Sequence, residues 1–489
     1  MKKQAFNPYL PSWEYIPDGE PYVFGDRVYI YGSHDRFGSN YFCANDYVCW
    51  SAPVDDLAAW RYEGVIYRKE QDPMNPDGKR ALYAPDVTVG SDGRYYLFYA
   101  FDNLGVMGVA VCDTPAGKYE YYGVVHYPDG TPVGQNQGDI FQFDPGLLVD
   151  DDGKVYLYSG MGIGENCGAW FGGRKADGMY MMELETDMLT VKRGPERMLH
   201  TSDCQDAKHL HGFFEASSMR KINGKYYFIY SSCASHELCY MVSDRPDGGF
   251  VYGGTLVSNG DIGCNGRLYE QRLNHIANTH GSLCNIRGKW YIFYHRHTNH
   301  HAYSRQACAE AIELDENGRF HQAEMTSCGL NGRPLAGKGT YPAYIACNLF
   351  TVDHQGYNEK QYETYAITGV LQKNLANMDR RPWLTQDGGD REGGENQYIT
   401  GWRNGGVIGY KYFDFTDAAE ISLRVKGTGS GRILVYTDLQ KAPAAMLPVQ
   451  PCEDYKTVSG PLRLQPGMHP LYLVYEGEGS WQLNEFELK

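Results

Sequence analysis

Phe213-Phe-Glu-Ala-Ser-Ser-Met-Arg-Lys-Ile-Asn-Gly-Lys-Tyr-Tyr-Phe-Ile-Tyr230 decides how this chain folds. Asn223-Gly224 supplies the positive-φ backbone of a tight hairpin turn, and the aromatic and β-branched run behind it suits a pleated, half-buried strand. The second half of the stretch recurs. Asp26-Arg27-Val28-Tyr29-Ile30-Tyr31, Gly93-Arg94-Tyr95-Tyr96-Leu97, Gly153-Lys154-Val155-Tyr156-Leu157-Tyr158 and Gly288-Lys289-Trp290-Tyr291-Ile292 repeat it. Successive copies start 67, 60, 71 and 64 residues apart. That period is too long for a helical solenoid and suits a four-stranded blade with decorated loops, so five copies predict a five-bladed β-propeller.

Seven to nine positions before each turn stands one polar group: Asp18, Asp86, Asp144, Glu215 and His280. If each blade opens with a strand lining the central channel, these positions converge on one axis. Any single acid of this kind is more often a solvated turn residue. Five at matching positions favour a shared pit.

Outward from the repeats, the organisation divides in two. Residues 1–335 carry the repeats and form the expected propeller; the loops around 161–175 and 200–211, rich in Gly, Cys, Asp and His, are where specificity is expected to vary. From 336 to 489 the hairpin phrase is gone. Alternating strands such as Ala418–Val425, Arg432–Tyr436, Leu471–Tyr475 and Trp481–Leu488 predict a β-sandwich of jelly-roll type. The fold class is therefore all-β.

Composition narrows the partners. A net charge of -15 with no Lys/Arg cluster argues against nucleic acid and anionic membranes. The 41 tyrosines, each a flat apolar face with a hydrogen-bonding tip, suit sugar rings as well as β packing. No apolar run is long enough to span a bilayer, and Met1-Lys-Lys-Gln-Ala-Phe-Asn-Pro8 lacks the apolar core of a signal peptide. Thirteen cysteines without a C-x-x-C pair signal neither a zinc ribbon nor a disulfide framework, so reduced thiols in the cytoplasm are expected.

Axial carboxylates supply what glycosidic hydrolysis requires: an acid to protonate the leaving oxygen and a carboxylate to activate water. Glu215, between Phe213-Phe214 and Ala216, has the apolar setting that keeps a carboxylic acid protonated. Asp18, in the polar, Gly-loosened Pro17-Asp18-Gly19-Glu20-Pro21, suits an ionised base, with Glu20 as its rival. Asp144, in Phe143-Asp144-Pro145, is the neighbour whose charge would lift the pKa of Glu215.

These motifs, in this order, resemble glycoside hydrolase family 43. Asp18 through Tyr31-Gly32-Ser33 is similar to that family's first-blade base segment, Phe143-Asp144-Pro145-Gly146 to its modulator, and Phe214-Glu215-Ala216-Ser217 to its general acid. Tyr83-Ala84-Pro85-Asp86 resembles a segment of its sugar-binding floor, with Tyr in place of Trp. Thr279-His280-Gly281-Ser282 resembles the segment whose His approaches an axial Ca²⁺ or Na⁺, and Tyr303-Ser304-Arg305-Gln306 the one whose guanidinium reaches sugar hydroxyls and the acid's carboxylate. The resemblance implies Asp18, Asp144 and Glu215 as catalytic, Tyr83, Ala84, Phe143 and Arg305 as substrate-binding, and His280 as metal-approaching. It further implies inversion of configuration and exo-acting release of α-L-arabinofuranosyl residues from pentose-containing oligosaccharides derived from arabinoxylan or arabinan. The alternatives are β-D-xylosidase or dual activity, and a non-catalytic carbohydrate-binding propeller. The C-terminal region resembles a family 6 carbohydrate-binding module through Gly409–Phe415 and Gly467–Tyr475. Gln482 stands where its binding forms carry Asn, so this region is expected mainly to buttress the propeller.

Overall fold

The structure, a computed structural model, describes residues 4–163, 171–200, 211–233, 235–300, 302–353, 381–391, 396–417 and 419–489. Most of the two loops expected to vary, 164–170 and 201–210, lies outside the described residues. Among the described residues every regular element is a strand or a short 3₁₀ turn.

Five antiparallel sheets follow one another along the chain, each a meander. The first holds β1 (Glu20–Phe24), β2 (Arg27–Tyr31), β3 (Tyr47–Pro53) and β4 (Arg61–Tyr67). The second holds β5 (Leu82–Val89), β6 (Tyr95–Phe101), β7 (Met107–Cys112) and β8 (Glu120–Val124). The third holds β9 (Gly146–Val149), β10 (Val155–Gly162), β11 (Asp177–Leu184) and β12 (Val191–His200). The fourth holds β13 (Phe213–Ile222), β14 (Lys225–Ser232), β15 (Leu238–Ser243) and β16 (Val251–Val257). The fifth has three strands, β17 (Leu283–Ile286), β18 (Lys289–Arg296) and β19 (Gln306–Ala311).

Each repeated phrase is the turn between the first and second strand of a sheet. In the fourth sheet Ile222 faces Lys225 across a two-residue loop, with Asn223 at φ 52° and Gly224 at φ 79°. Two positive φ values in a row are what a type I′ turn demands. Arg287 and Gly288 repeat this conformation between β17 and β18.

The first strands touch one another in chain order, β1 on β5, β5 on β9 and β9 on β13, and β17 returns to β1. A parallel bridge between Gly19 and Gly281 joins the first sheet to the fifth. Ser218 and Ser282, 2.8 Å apart, join the fourth to the fifth. Apolar clusters lie between neighbouring sheets, for example Leu157 and Met182 with Phe98 and Val109.

Twelve further strands form two sheets: β20 (Leu335–Ala336), β21 (Gly339–Pro342), β22 (Asn348–Thr351), β23 (Trp383–Gln386), β24 (Gln397–Trp402), β25 (Gly406–Phe415), β26 (Glu420–Gly427), β27 (Ser430–Tyr436), β28 (Ala445–Val449), β29 (Cys452–Pro461), β30 (Gly467–Glu478) and β31 (Trp481–Leu488). One sheet runs β20-β25-β30-β27-β28 and the other β23-β24-β31-β26-β29, with β22 on β25 and β21 on β31. Inward residues of both, such as Ile408, Leu473, Leu423 and Phe486, share one core, which makes a sandwich. The boundary expected between 335 and 336 falls inside β20, which pairs with β25.

Candidate active site

The candidate site lies where the first strands of the sheets begin. Asp18 and Asp144 each stand two residues before a first strand (β1 and β9), Glu215 is the third residue of β13, and His280 lies three residues before β17. All four side chains are buried. Backbone geometry is unusual there: Asp18 has φ 58°, Asp144 φ 45° and Ala216 φ 68°, the left-handed region that residues with a Cβ seldom occupy. The pairing of β13 with β14 slips on either side of Glu215, which faces Ser231. That bulge frees the glutamate from regular alternation. Gly146 lets the third sheet approach closely, since a Cβ there would meet Ser217 O at 2.8 Å.

Asp18 is held as an anion. Arg305 Nη1 donates to its Oδ1 at 3.1 Å, so the guanidinium expected on the acid's carboxylate bonds the expected base instead and reaches Glu215 only through its charge. Burial alone would raise the Asp18 carboxyl, but the guanidinium holds it well below the usual carboxylate range. His295 Nδ1 lies 3.2 Å from the Asp18 backbone N and 3.2 Å from Oδ1. Nε2 of the same ring is 2.8 Å from Asn278 O. Nε2–H donating to that carbonyl, with Nδ1 accepting from the Asp18 N–H, satisfies both nitrogens in a neutral ring, and burial lowers the His295 pKa accordingly.

Glu215 has the opposite environment. Burial first, then the charges of Asp144 and Asp18, push its carboxyl well above the ordinary range, against a partial pull from His280 and Arg305. Asp144 Oδ2 accepts from the Ala216 N–H at 2.9 Å, which fixes it beside the glutamate's own backbone. One carboxyl kept ionised and another kept protonated in a single buried cluster is the division of labour that acid–base chemistry needs.

The predicted substrate-binding residues border this cluster. Tyr83 and Ala84 lie where the register of β5 slips against β6, before Pro85. The Tyr83 and Phe143 rings meet edge-on with centroids 5.4 Å apart, and Tyr83 O accepts from Tyr47 OH. Arg305 is clamped from behind: Nε and Nη2 bond the two oxygens of Asp35 at 2.9 and 3.0 Å, and its guanidinium lies over Phe42 at 4.7 Å.

The register expected of five polar groups resolves into two tiers. Glu20, the rival base, is salt-bridged to Arg220 Nη2 at 2.6 Å and accepts from Ser218 Oγ at 3.2 Å. Asp86 joins this second tier, because its oxygens accept from Tyr22 OH, Val87 N and Leu147 N at 2.6 to 2.7 Å. His280 stands between the tiers, Nδ1 3.5 Å from Asp144 Oδ2 and Nε2 3.6 Å from Glu20 Oε1. Burial would discharge this ring, but Asp144 and Glu20 hold its pKa well above the ordinary value.

The family profile of glycosyl hydrolases family 43 matches residues 15–320, and that of carbohydrate binding module family 6 matches residues 384–489. A xylosidase/arabinosidase of Thermoclostridium stercorarium is 48% identical over 100% of this chain and 99% of its own length.

The chain belongs to glycosyl hydrolases family 43.

This family 43 chain is thus a glycoside hydrolase with a family 6 module. An arabinoxylan arabinofuranohydrolase of Bacillus subtilis (strain 168) is 25% identical over 95% of it and 88% of the relative. Among solved structures, a β-xylosidase is 26% identical, covers 66% of the chain and 99% of its own, and superposes with a TM-score of 0.51. A β-xylosidase/α-arabinofuranosidase from a compost metagenome shares the fold at 24% identity and TM-score 0.51, over 66% and 99% of the two chains.

Three members of this buried cluster escaped sequence reading. Asp35 and His295 hold Arg305 and Asp18 in place, and Arg220 neutralises Glu20. Asp35 ends the run Tyr31-Gly32-Ser33-His34-Asp35, where three polar residues, all buried, follow the end of β2 after one glycine; three polar residues behind an aromatic strand were the available signal. His295 and Arg220 sit within aromatic or mixed strands and carry no local signal. In the module, Trp402 and Trp481 are sealed in the core and offer no stacking face to a sugar. Gln482 accepts from Tyr455 OH at 3.1 Å.

Proposed function

We propose that the chain is an inverting, exo-acting hydrolase that releases terminal α-L-arabinofuranosyl residues from arabinoxylan- or arabinan-derived oligosaccharides. The observation that carries this reading is the pairing of Asp18, anionic under Arg305, with Glu215, protonated by burial beside Asp144. In this reading the five sheets close as the blades of a propeller, with residues 1–335 as the catalytic domain and 336–489 as the module. Glu215 protonates the glycosidic oxygen, Asp18 takes a proton from the attacking water, and Asp144 sets the pKa of the acid. Asp18 is preferred to Glu20 as base because Glu20 is already spent on Arg220 and Ser218. Arg305, Tyr83, Ala84 and Phe143 receive the sugar. A second reading, β-D-xylosidase or dual activity, is favoured by the full-length likeness to a xylosidase/arabinosidase.

The test is hydrolysis of p-nitrophenyl α-L-arabinofuranoside against the β-D-xyloside. Glu215→Gln and Asp18→Asn should each lower the rate on the preferred glycoside by about a hundredfold or more. Near wild-type rates in either variant would remove that residue from its role, and proton NMR of the first-formed sugar reports inversion or retention.

The Ca²⁺ or Na⁺ expected beside His280 fits one feature of the site. His280 Nε2 and Glu20 Oε1 are buried, 3.6 Å apart and without hydrogen bonds, a gap that a partly hydrated cation would fill in place of a proton on the ring. When bound, the ion would supply positive charge beneath Asp144. Chelation should then lower the melting temperature, with recovery on adding Ca²⁺; an unchanged melt leaves the imidazolium, with Arg220 behind Glu20, as the positive charge there. Localisation in the cytoplasm and action on imported oligosaccharides belong to the same proposal.

A further inference from the structure

Just ahead of the acid-bearing strand is a cluster that the hydrolytic chemistry does not use. His211 lies two residues before β13, while Glu237 precedes and Cys239 lies within β15, the strand two places outward in the same sheet. One donor atom from each lies within 4.8 Å of the others. His211 Nδ1 is 3.5 Å from Glu237 Oε2 and 3.6 Å from Cys239 Sγ. Bond lengths of about 2.0–2.1 Å to nitrogen or oxygen and about 2.3 Å to sulfur place tetrahedral zinc ligands roughly 3.3–3.6 Å apart. The two separations from His211 Nδ1 match edges of such a tetrahedron.

A second observation points to a missing occupant. Glu237 is only 2% exposed, yet its Oε2, the atom facing His211, makes no hydrogen bond. A buried, unpaired carboxylate oxygen is costly, and a divalent cation removes that cost. The surroundings are stiff. Glu237 N donates to Ser232 Oγ and its carbonyl accepts from Ser232 N, at 3.1 and 3.0 Å. The His211 carbonyl accepts from Tyr230 OH at 2.6 Å, and its ring stacks on Tyr252 with centroids 4.9 Å apart. Thr255 Oγ1 and Tyr252 OH lie 3.8 and 3.9 Å from the Cys239 sulfur, able to support a thiolate. His211 is one-third exposed, so solvent reaches the cluster, and water commonly completes a three-residue zinc site.

We propose that His211, Glu237 and Cys239 form a zinc site that pins the start of β13, four residues before Glu215. Loading it displaces the thiol proton of Cys239 to solvent and leaves the oxidation state of the metal unchanged. The site is separate from the one beside His280, which has no sulfur. The test uses the full untagged chain, equilibrated with Zn²⁺ and freed of excess metal. Elemental analysis should find one equivalent of zinc per chain in the wild type. His211→Ala and Cys239→Ser should each cut the retained zinc at least tenfold while keeping the circular dichroism of a folded chain. With Co²⁺ in place of zinc, the wild type should show a thiolate-to-metal band in the near ultraviolet that Cys239→Ser abolishes. His211, being partly exposed, is the variant to rely on if the cysteine variant does not fold. A wild type that retains no zinc and shows no thiolate band, or a folded His211→Ala that keeps the wild-type zinc content, overturns the proposal.

Discussion

Asp18 and Glu215 are the same functional group under opposite fields, and Asp144 is the lever that can be moved without touching either. Its charge is the second cause, after burial, of the raised Glu215 carboxyl. Asp144→Asn keeps an oxygen for the Ala216 N–H but removes the negative charge, so the glutamate should release its proton at lower pH. In the proposed mechanism activity requires Glu215 protonated, so the alkaline limb of kcat/KM should move to lower pH. The acid limb, which the same proposal assigns to Asp18 under Arg305, should move far less. A pH–rate profile of the variant against wild type reads both limbs at once, and an unmoved alkaline limb would strip Asp144 of the modulating role. The left-handed backbone at Asp18, Asp144 and Ala216 belongs to the same scale: three strained positions around one acid–base pair mark where geometry has been put ahead of stability.

At the scale of the element, Asp86 shows what a first strand contributes besides chemistry. It ties β5 to its neighbours on both sides through Tyr22 OH and the Leu147 N–H. Asp86→Ala takes the acceptor from three donors, Tyr22 OH, Val87 N and Leu147 N, at a cost on the order of several kcal/mol. Burial and the charge of Glu20 raise its carboxyl from 3.8 to about 7. A carboxyl with a folded pKa above its unfolded one lowers stability as pH climbs from the unfolded value through the folded one. The gap between wild type and variant in urea unfolding should therefore be widest near pH 4 and narrower above pH 7; a gap that widens with pH would show that the three hydrogen bonds, not burial, dominate this carboxyl. The same residue shows how far sequence reading reaches. The repeated turn phrase placed every first hairpin, because Asn-Gly and its analogues dictate turn conformation locally. The polar group before each turn located Asp18, Asp144, Glu215 and His280 for the same reason of constant spacing. Asp86 shares that spacing but falls inside β5, in the second tier, because residues 90–94 separate β5 from β6 where only Gly25 and Asp26 separate β1 from β2. Arg220 carried no signal and Asp35 only a faint one for a related reason: their roles depend on partners two hundred or more residues away.

Across the whole molecule, the sandwich is welded to the hydrolase half rather than tethered to it. Asp390 accepts from Phe37 N and Asn45 Nδ2 at 2.8 and 3.0 Å, and Asn45 in turn donates to the carbonyl of Asp35, the residue clamping Arg305. Gln306 bonds Gln397 at 3.1 Å, and Tyr15 bonds Gln386 at 2.8 Å. The strongest joint is Lys411 on β25, whose Nζ reaches Asp261 Oδ2 at 2.7 Å and Glu324 Oε1 at 2.9 Å. Lys411 and Asp261 are both fully buried. Removing one partner of a buried pair strands the other charge, which costs about 3–5 kcal/mol, whereas removing both is often close to neutral. Lys411→Met should accordingly lower the melting temperature markedly, and adding Asp261→Asn should recover most of the loss. Neither residue touches the acid–base cluster, so kcat well below the transition should stay near wild type in both variants. If Lys411→Met instead melted like wild type, the buried ion pair would not be what joins the two halves, and the hydrogen bonds of Asp390, Gln397 and Gln386 would carry the polar part of the joint, with the chain from Asp390 to Asp35 still linking the sandwich to Arg305.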